Sequence, residues 1–573
     1  MDKNKGKKKS PNPGAPTKQI LAKSTPAANK VEQANEAWKP GVLFWLHLGI
    51  IAVFLLILRI SLIDLPLERD ESAYAYLGKR AMEGLAPYRD FYEMKPPLLF
   101  YGYGLLDLIF GYSHAGLRWG AWFLTLLMCG GTYLIGRSFF GPKYGLVAAL
   151  VLALFSSNPY TSMVFEESEL LVMALALYGI WFLCRLLEEK EHPQKERWRL
   201  IGAGLLIGSS VMVKQSAVFF LGFAAVVLIL LAEGDNLRAR LGKLIQRGLW
   251  FSVGAITPVL LCLGIILGFG VWSEFAFWNL EYPSLYTQNT SETSGFDLLK
   301  VNFESLTQRQ LLLWVLSGLG LLVLALKGLS KKMSIALVTL VFFSFFTVMP
   351  GKRYYLHYWI QFLPAVSLLF AHLFFKLEKL GERPNLSIAR NFSFPLGVLF
   401  LLIGVGLSSS HWLKTDSNTL MREMFGGNPF VEDQLMARII EAQIQPNETV
   451  AVMGSEPQIY VYLDRKAPSR HFYTAFLSRN HRFSKAWQNE ALEGLKAEKP
   501  EYVVFNIVSM SWMLRPDSDQ GFYQNSYSWV MGNYTPIAYA DYVDYYNPTI
   551  VTDAAASSYK PQSGSYVMLL KKK

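Results

Sequence analysis

Two acids and a lysine stand out in the first long polar segment of the chain. Asp70-Glu71 falls a few residues after an apolar run, and Lys95-Pro96-Pro97 follows in the same segment. A carboxylate held beside a membrane can serve as a general base, and a fixed ammonium can stabilise a departing anion. The two prolines after Lys95 stiffen the backbone and prevent a regular helix there, so the ammonium can be held in one place, where it suits a phosphate. The plainer alternatives are that Asp70 and Glu71 cap the following helix and that Lys95 is an interfacial lysine reaching for water. Between them Tyr74, Leu77 and Ala81 recur at helical spacing, which predicts an amphipathic helix lying along the membrane.

Three more places carry unusual charge. Phe165-Glu166-Glu167-Ser168-Glu169 sets acids beside an apolar run, which is costly unless they are hydrated, paired or functional. Lys214 ends a second run, and Gly351-Lys352-Arg353-Tyr354-Tyr355-Leu356-His357-Tyr358 follows a third. Arg binds phosphate oxygens bidentately and Lys acts as a point charge, so these cations suit a phosphate. Interfacial anchoring among belt tyrosines is the alternative.

These residues need elements to position them. Of 573 residues 52% are hydrophobic and only 17% charged, and the apolar residues cluster in runs of membrane-spanning length. Eleven runs are expected as spans: 42 to 63, 115 to 136, 143 to 158, 168 to 187, 199 to 213, 216 to 232, 248 to 271, 311 to 327, 334 to 349, 359 to 375 and 394 to 411. The first is too long and too far from Met1 for a cleaved signal and reads as a retained anchor. With a cytoplasmic N-terminus every short inward loop is basic, through Arg137, Lys190, Arg238, Lys327 and Lys376 among others. The first outer loop, 64 to 114, and the segments around Glu166, Lys214 and Arg353 then share the outer side. Lys214, Lys352 and Arg353 run against the positive-inside tendency there.

The net charge of +11 lies in a tail and in short loops rather than in a basic soluble domain, which argues against nucleic acid. Cys129, Cys184 and Cys262 all fall in expected spans, which excludes a disulfide framework or zinc finger. Residues 1 to 41 read as a disordered basic cytoplasmic tail and 42 to 411 as the membrane domain. From 412 to 573 the composition is that of a small extracytoplasmic α/β domain, with strands near 449 to 454, 502 to 505 and 566 to 570 and a helix over 483 to 499. Its tyrosine-rich stretch, 523 to 546, suggests surface and interface packing, with sugar or lipid headgroup contact as the alternative.

Asp70-Glu71, Ala75-Tyr76, Gly84, Pro87-Tyr88, Asp90 and Lys95-Pro96-Pro97-Leu98 together resemble the polytopic glycosyltransferases of the GT-C superfamily, in the branch of protein O-mannosyltransferases and aminoarabinose transferases. The resemblance implies an α-helical polytopic membrane fold of about eleven spans. It also implies transfer, with inversion, of a sugar from a polyprenyl-phosphate donor to a lipid, protein or polysaccharide acceptor. Asp70 matches the family's first-loop aspartate and is the expected base, with Glu71 in support. Lys95, Lys214, Lys352 and Arg353, with His357, become candidate ligands of the donor phosphate, and Glu166 or Glu167 would position acceptor or metal. A divalent cation is a candidate cofactor. Aminoarabinose transferases place a metal-binding glutamate directly before the lysine, whereas here Met94 separates Glu93 from Lys95, which argues against a metal role for Glu93.

A transporter or flippase of lipid-linked sugars is the competing class, and a non-catalytic assembly protein a third. Transport calls for ionisable residues or broken helices near the bilayer midplane in related halves, whereas here the candidates gather at one face. The chain has no Walker loop, HExxH or GxSxG motif, which favours a lipid-linked donor over a nucleotide-linked one.

Overall fold

The computed structural model describes residues 41–188, 192–288, 294–308, 310–325, 329–409, 416–516 and 518–573. The basic tail up to residue 40, Lys190, Lys327 and the boundary at 411 lie outside them. The chain divides into two units, residues 1–46 and 47–573. The first is described only from residue 41, where the helix Val42–Arg59 begins.

Among the described residues each of the expected apolar runs is mainly helical. Five helices are long and apolar enough to cross a membrane: Val42–Leu62, His114–Phe140, Ser168–Glu188, Leu237–Gly268 and Ser387–Ser408. Shorter apolar helices include Pro142–Ser156, Gln215–Leu231, Leu311–Leu322 and Leu98–Phe110, the last within the first polar segment. Pairs close in sequence pack together, His114–Phe140 on Pro142–Ser156 and Ser168–Glu188 on Pro193–Val213, which in turn packs on Leu237–Gly268.

The helix Arg69–Met82 lies against Leu98–Phe110 at very short range, because Gly78 and Gly104 face each other. A Cβ on Gly78 would sit 2.6 Å from the Gly104 backbone nitrogen. The expected amphipathic helix does form, but it has no wet face. Only Asp70 and Lys79 are half-buried and Met82 exposed, since the helix Gln458–Leu463 of the C-terminal part covers its other side.

That C-terminal part holds a five-stranded sheet in the order β1-β2-β5-β3-β4. β1 (Val450–Met453) pairs in parallel with β2 (Tyr502–Ile507). β3 (Tyr534–Asp541), β4 (Thr549–Thr552) and β5 (Tyr566–Lys572) are joined by antiparallel ladders, and β5 also runs antiparallel to β2. β1 is buried along its whole length and β2 up to its last residue, so β1 and the first four residues of β2 read as continuous apolar runs, as strands covered on both faces do. The tyrosine-rich stretch is largely packing: Tyr523 and Tyr527 set their rings edge-on to Phe505 of β2.

Candidate active site

Asp70 is presented by the first turn of Arg69–Met82, and the cap that starts this helix comes from Glu68. The Glu68 carboxylate accepts the N–H groups of Asp70, at 2.8 Å, and of Glu71, while the Glu71 side chain accepts the Glu68 N–H at 3.1 Å. This reciprocal capping box leaves the Asp70 carboxylate outside the cap.

Glu71 is fully buried and spent on structure. Arg118 Nη1 lies 2.9 Å and 2.6 Å from its two oxygens, and the Glu166 N–H donates to it at 2.9 Å. Arg118 also donates to the carbonyls of Leu65 and Pro66, at 3.0 and 3.1 Å. With both oxygens engaged by Arg118 and the Glu166 N–H, Glu71 is a structural acid, not the support for the base that the sequence suggested.

The motif residues before Lys95 form a turn that fixes it. Asp90 accepts the Ala86 N–H at 2.8 Å, Tyr88 adopts a left-handed backbone with φ of 68°, and the Tyr88 hydroxyl donates to the Lys95 carbonyl at 2.8 Å. The Lys95 ammonium lies 3.2 Å from Glu93 Oε1 and 4.5 Å from the centre of the Tyr74 ring. Burial works against its charge, but the carboxylates of Glu93, Asp70 and Glu169 outweigh it and raise its pKa. Glu93 is thus the partner of Lys95.

Glu166 and Glu167 sit in the turn after Ser162, whose φ is 56°, just before the helix Ser168–Glu188 begins. Their side chains part. Glu166 faces Gly120 of the helix His114–Phe140. Glu167 Oε1 lies 3.8 Å from His357 Nδ1, and one ligand atom from each of Asp70, Glu167 and His357 falls within 4.8 Å of the others. Burial, then Asp70 among other carboxylates, pushes Glu167 well above the usual carboxylate range, and burial lowers His357. Glu167 Oε2 is buried without a partner. A lone carboxylate oxygen, a second carboxylate and an uncharged imidazole form a donor set that fits a divalent cation.

Lys214 pairs with Glu169 and lies 4.5 Å from the centre of the Tyr358 ring. Lys352 is exposed, and Arg353 stands over Tyr286 at 5.1 Å. Asp70, Lys95, Glu167, Lys214 and His357 therefore converge, while Glu71, Glu166 and Lys352 do not join them.

Sequence reasoning missed Arg118, whose charge within an apolar run was the available signal. It also missed Arg69, whose Nε donates to the Ser455 carbonyl at 2.6 Å and whose Nη2 lies 3.1 Å from Glu456 Oε1, tying the start of the Asp70 helix to the C-terminal part. Nearby, Tyr92 stacks on Trp278 at 4.6 Å and donates to, or accepts from, His471 Nδ1 at 2.6 Å.

Residues 94–273 match the family profile of dolichyl-phosphate-mannose-protein mannosyltransferase. The structure of ArnT from Cupriavidus metallidurans bound to undecaprenyl phosphate resembles this one with a TM-score of 0.53 and 14% identity, over 91% of this chain and 100% of that one. The oligosaccharyltransferase of Archaeoglobus fulgidus, tethered to an acceptor peptide, gives a TM-score of 0.47 and 13% identity, over 89% of this chain and 74% of that one. No curated protein matches the sequence significantly. The chain is a multi-pass membrane protein whose fold resembles the GT-C glycosyltransferases. Within that superfamily the resemblance is to the O-mannosyltransferase and ArnT branch.

Proposed function

We propose that the protein is an inverting glycosyltransferase that moves a sugar from a polyprenyl-phosphate donor to an acceptor at the extracytoplasmic face. The observation that carries this reading is the meeting of Asp70, outside its helix cap, with Lys95, Lys214 and the Glu167–His357 pair. The mannosyltransferase profile and the ArnT-like fold with its undecaprenyl phosphate support a lipid-linked donor.

In this reading Asp70 takes the acceptor proton as the acceptor attacks the anomeric carbon, and the bond from that carbon to the phosphate oxygen breaks. The lipid phosphate leaves with the bonding electrons, and the Lys95 and Lys214 ammonium groups stabilise its charge. Both lysines already hold carboxylate partners, so neither needs to lose a hydration shell during the reaction. Asp70, Glu167 and His357 would hold a divalent ion, which when bound supplies electrophilic stabilisation of the phosphate. The eleven-span topology with an inward N-terminus, the membrane domain over 42 to 411 and the outer domain over 412 to 573 belong to the same proposal.

The test is to incubate purified protein with a panel of polyprenyl-phosphate sugars and measure release of the lipid phosphate. Release that disappears in Asp70→Asn, with the variant still folded and inserted, supports the reading. Full activity of that variant removes its central element.

A further inference from the structure

One buried cation stands apart from the converged site and lacks a counter-ion. Arg59 closes the helix Val42–Arg59 inside the first span, Val42–Leu62, and is only 7% exposed. Its Nη2 donates to the Ser156 carbonyl at 2.9 Å, while its Nε is buried with no hydrogen-bond partner. Among the described residues no carboxylate lies within ion-pair distance of Arg59, and a second cation, Arg118, is close enough to act on it electrostatically. Like charges repel, and an uncompensated charge buried in a span is among the costliest features a membrane protein can carry.

Arg59 and Arg118 line an open cleft of about 350 Å³, together with Trp119, Trp122, Leu56 and Ile60. Three lining residues hold N–H groups that are buried without a partner: Arg59 Nε, Arg118 Nε and Trp122 Nε1. Such donors are rare because each costs the desolvation of the group. Arg118 spends its other nitrogens on Glu71 and on the carbonyls of Leu65 and Pro66, so its charge is matched. Arg59 therefore carries the excess charge of the cleft.

The rim shows what can enter. Ile60 is 54% and Trp119 38% exposed, so the cleft opens where two spans turn apolar side chains to the membrane. A ligand arriving from that side needs an apolar body and an acceptor-rich anionic head. Tryptophan at the mouth fits the same level of the bilayer, where its ring meets acyl chain and its N–H meets a headgroup.

We propose that this cleft binds an anionic phospholipid of the bilayer, its phosphodiester accepting from Arg59 Nε and Trp122 Nε1 and its acyl chain lying on Leu56 and Ile60. A zwitterionic headgroup would set its own cation against two arginines, whereas a net negative one supplies the charge that Arg59 lacks. None of Asp70, Lys95, Glu167, Lys214 and His357 lines the cleft. The lipid site is thus independent of the glycosyltransferase reading.

The experiment uses the full chain purified in detergent, with bound lipid counted by native mass spectrometry as phosphatidylglycerol, phosphatidylcholine or undecaprenyl phosphate is added. Wild type, Arg59→Gln, Arg59→Lys and Trp122→Phe are compared. Wild type should prefer phosphatidylglycerol to phosphatidylcholine by about tenfold, the size of one charge-assisted contact. Arg59→Gln should erase that preference, Arg59→Lys restore part of it, and Trp122→Phe, which keeps the ring and removes the N–H, weaken phosphatidylglycerol about threefold. An unchanged preference in both Arg59→Gln and Trp122→Phe overturns the proposal. So does a loss of melting temperature in Arg59→Gln with no lipid preference in wild type, which would make Arg59 a mere tie to Ser156. Should Arg59→Gln fail to fold, Trp122→Phe decides alone. Weakening that falls on undecaprenyl phosphate instead of phosphatidylglycerol gives the cleft to the carrier and removes the phospholipid assignment.

Discussion

Glu167 sets a carboxylate oxygen 3.8 Å from Nδ1 of His357, joining two residues far apart in the chain. Its neighbour Glu166 turns to Gly120 instead. Two consecutive acids therefore have different work, and substitution separates them. Glu167→Gln is expected to lower turnover at least tenfold, whereas Glu166→Gln, whose carboxyl is held well above the usual range by burial and then by Asp107 and Glu71, keeps most activity. Equal losses in sugar-transfer assays of the two variants would contradict this division.

The same pair gives a pH dependence. Burial raises Glu167, so its protonated form stabilises the fold below the ordinary carboxylate range, and that contribution is lost as pH rises through the raised value. Relative to Glu167→Gln, wild type should become less stable as the pH increases. A divalent cation must displace that proton, so its affinity should rise with pH by roughly tenfold per unit while one proton is released. Calorimetry with Mn²⁺ or Mg²⁺ in two buffers of different ionisation enthalpy would count the protons.

Arg118 and Glu71 form a buried pair whose loss is structural. Arg118→Ala leaves the Glu71 carboxylate buried without its main partner and should cost about 3–5 kcal/mol. Glu71→Gln should also destabilise, yet the fraction that folds should retain catalysis. Specific activity normalised to folded protein checks this.

Tyr88 acts on Lys95 only through a backbone carbonyl. Tyr88→Phe removes one buried hydrogen bond, worth about 1 kcal/mol of stability. If that bond fixes the ammonium, kcat should fall with KM for the donor changing less. A variant that loses stability alone would make the contact structural.

Much of the scaffold was legible in the sequence. The apolar runs are helical because nothing else satisfies backbone groups in lipid, and the runs at β1, β2 and β5 are strands. β3 and β4 escaped notice because their tyrosines, threonines and other polar residues give no clean alternation of apolar and polar positions. The site was legible only as residue types. Which of Glu166 and Glu167 faces Asp70 depends on a left-handed turn at Ser162, and the capping role of Glu68 on one side-chain direction.

The ion pair from Arg69 to Glu456 joins segments separated by most of the chain's translation. The segment bearing Asp70 leaves the ribosome early, while its anchor is among the later parts made. A product terminated before Glu456 would thus carry Asp70 on a helix that lacks this tie, so the start of that helix takes its native anchorage only once the C-terminal part has been made.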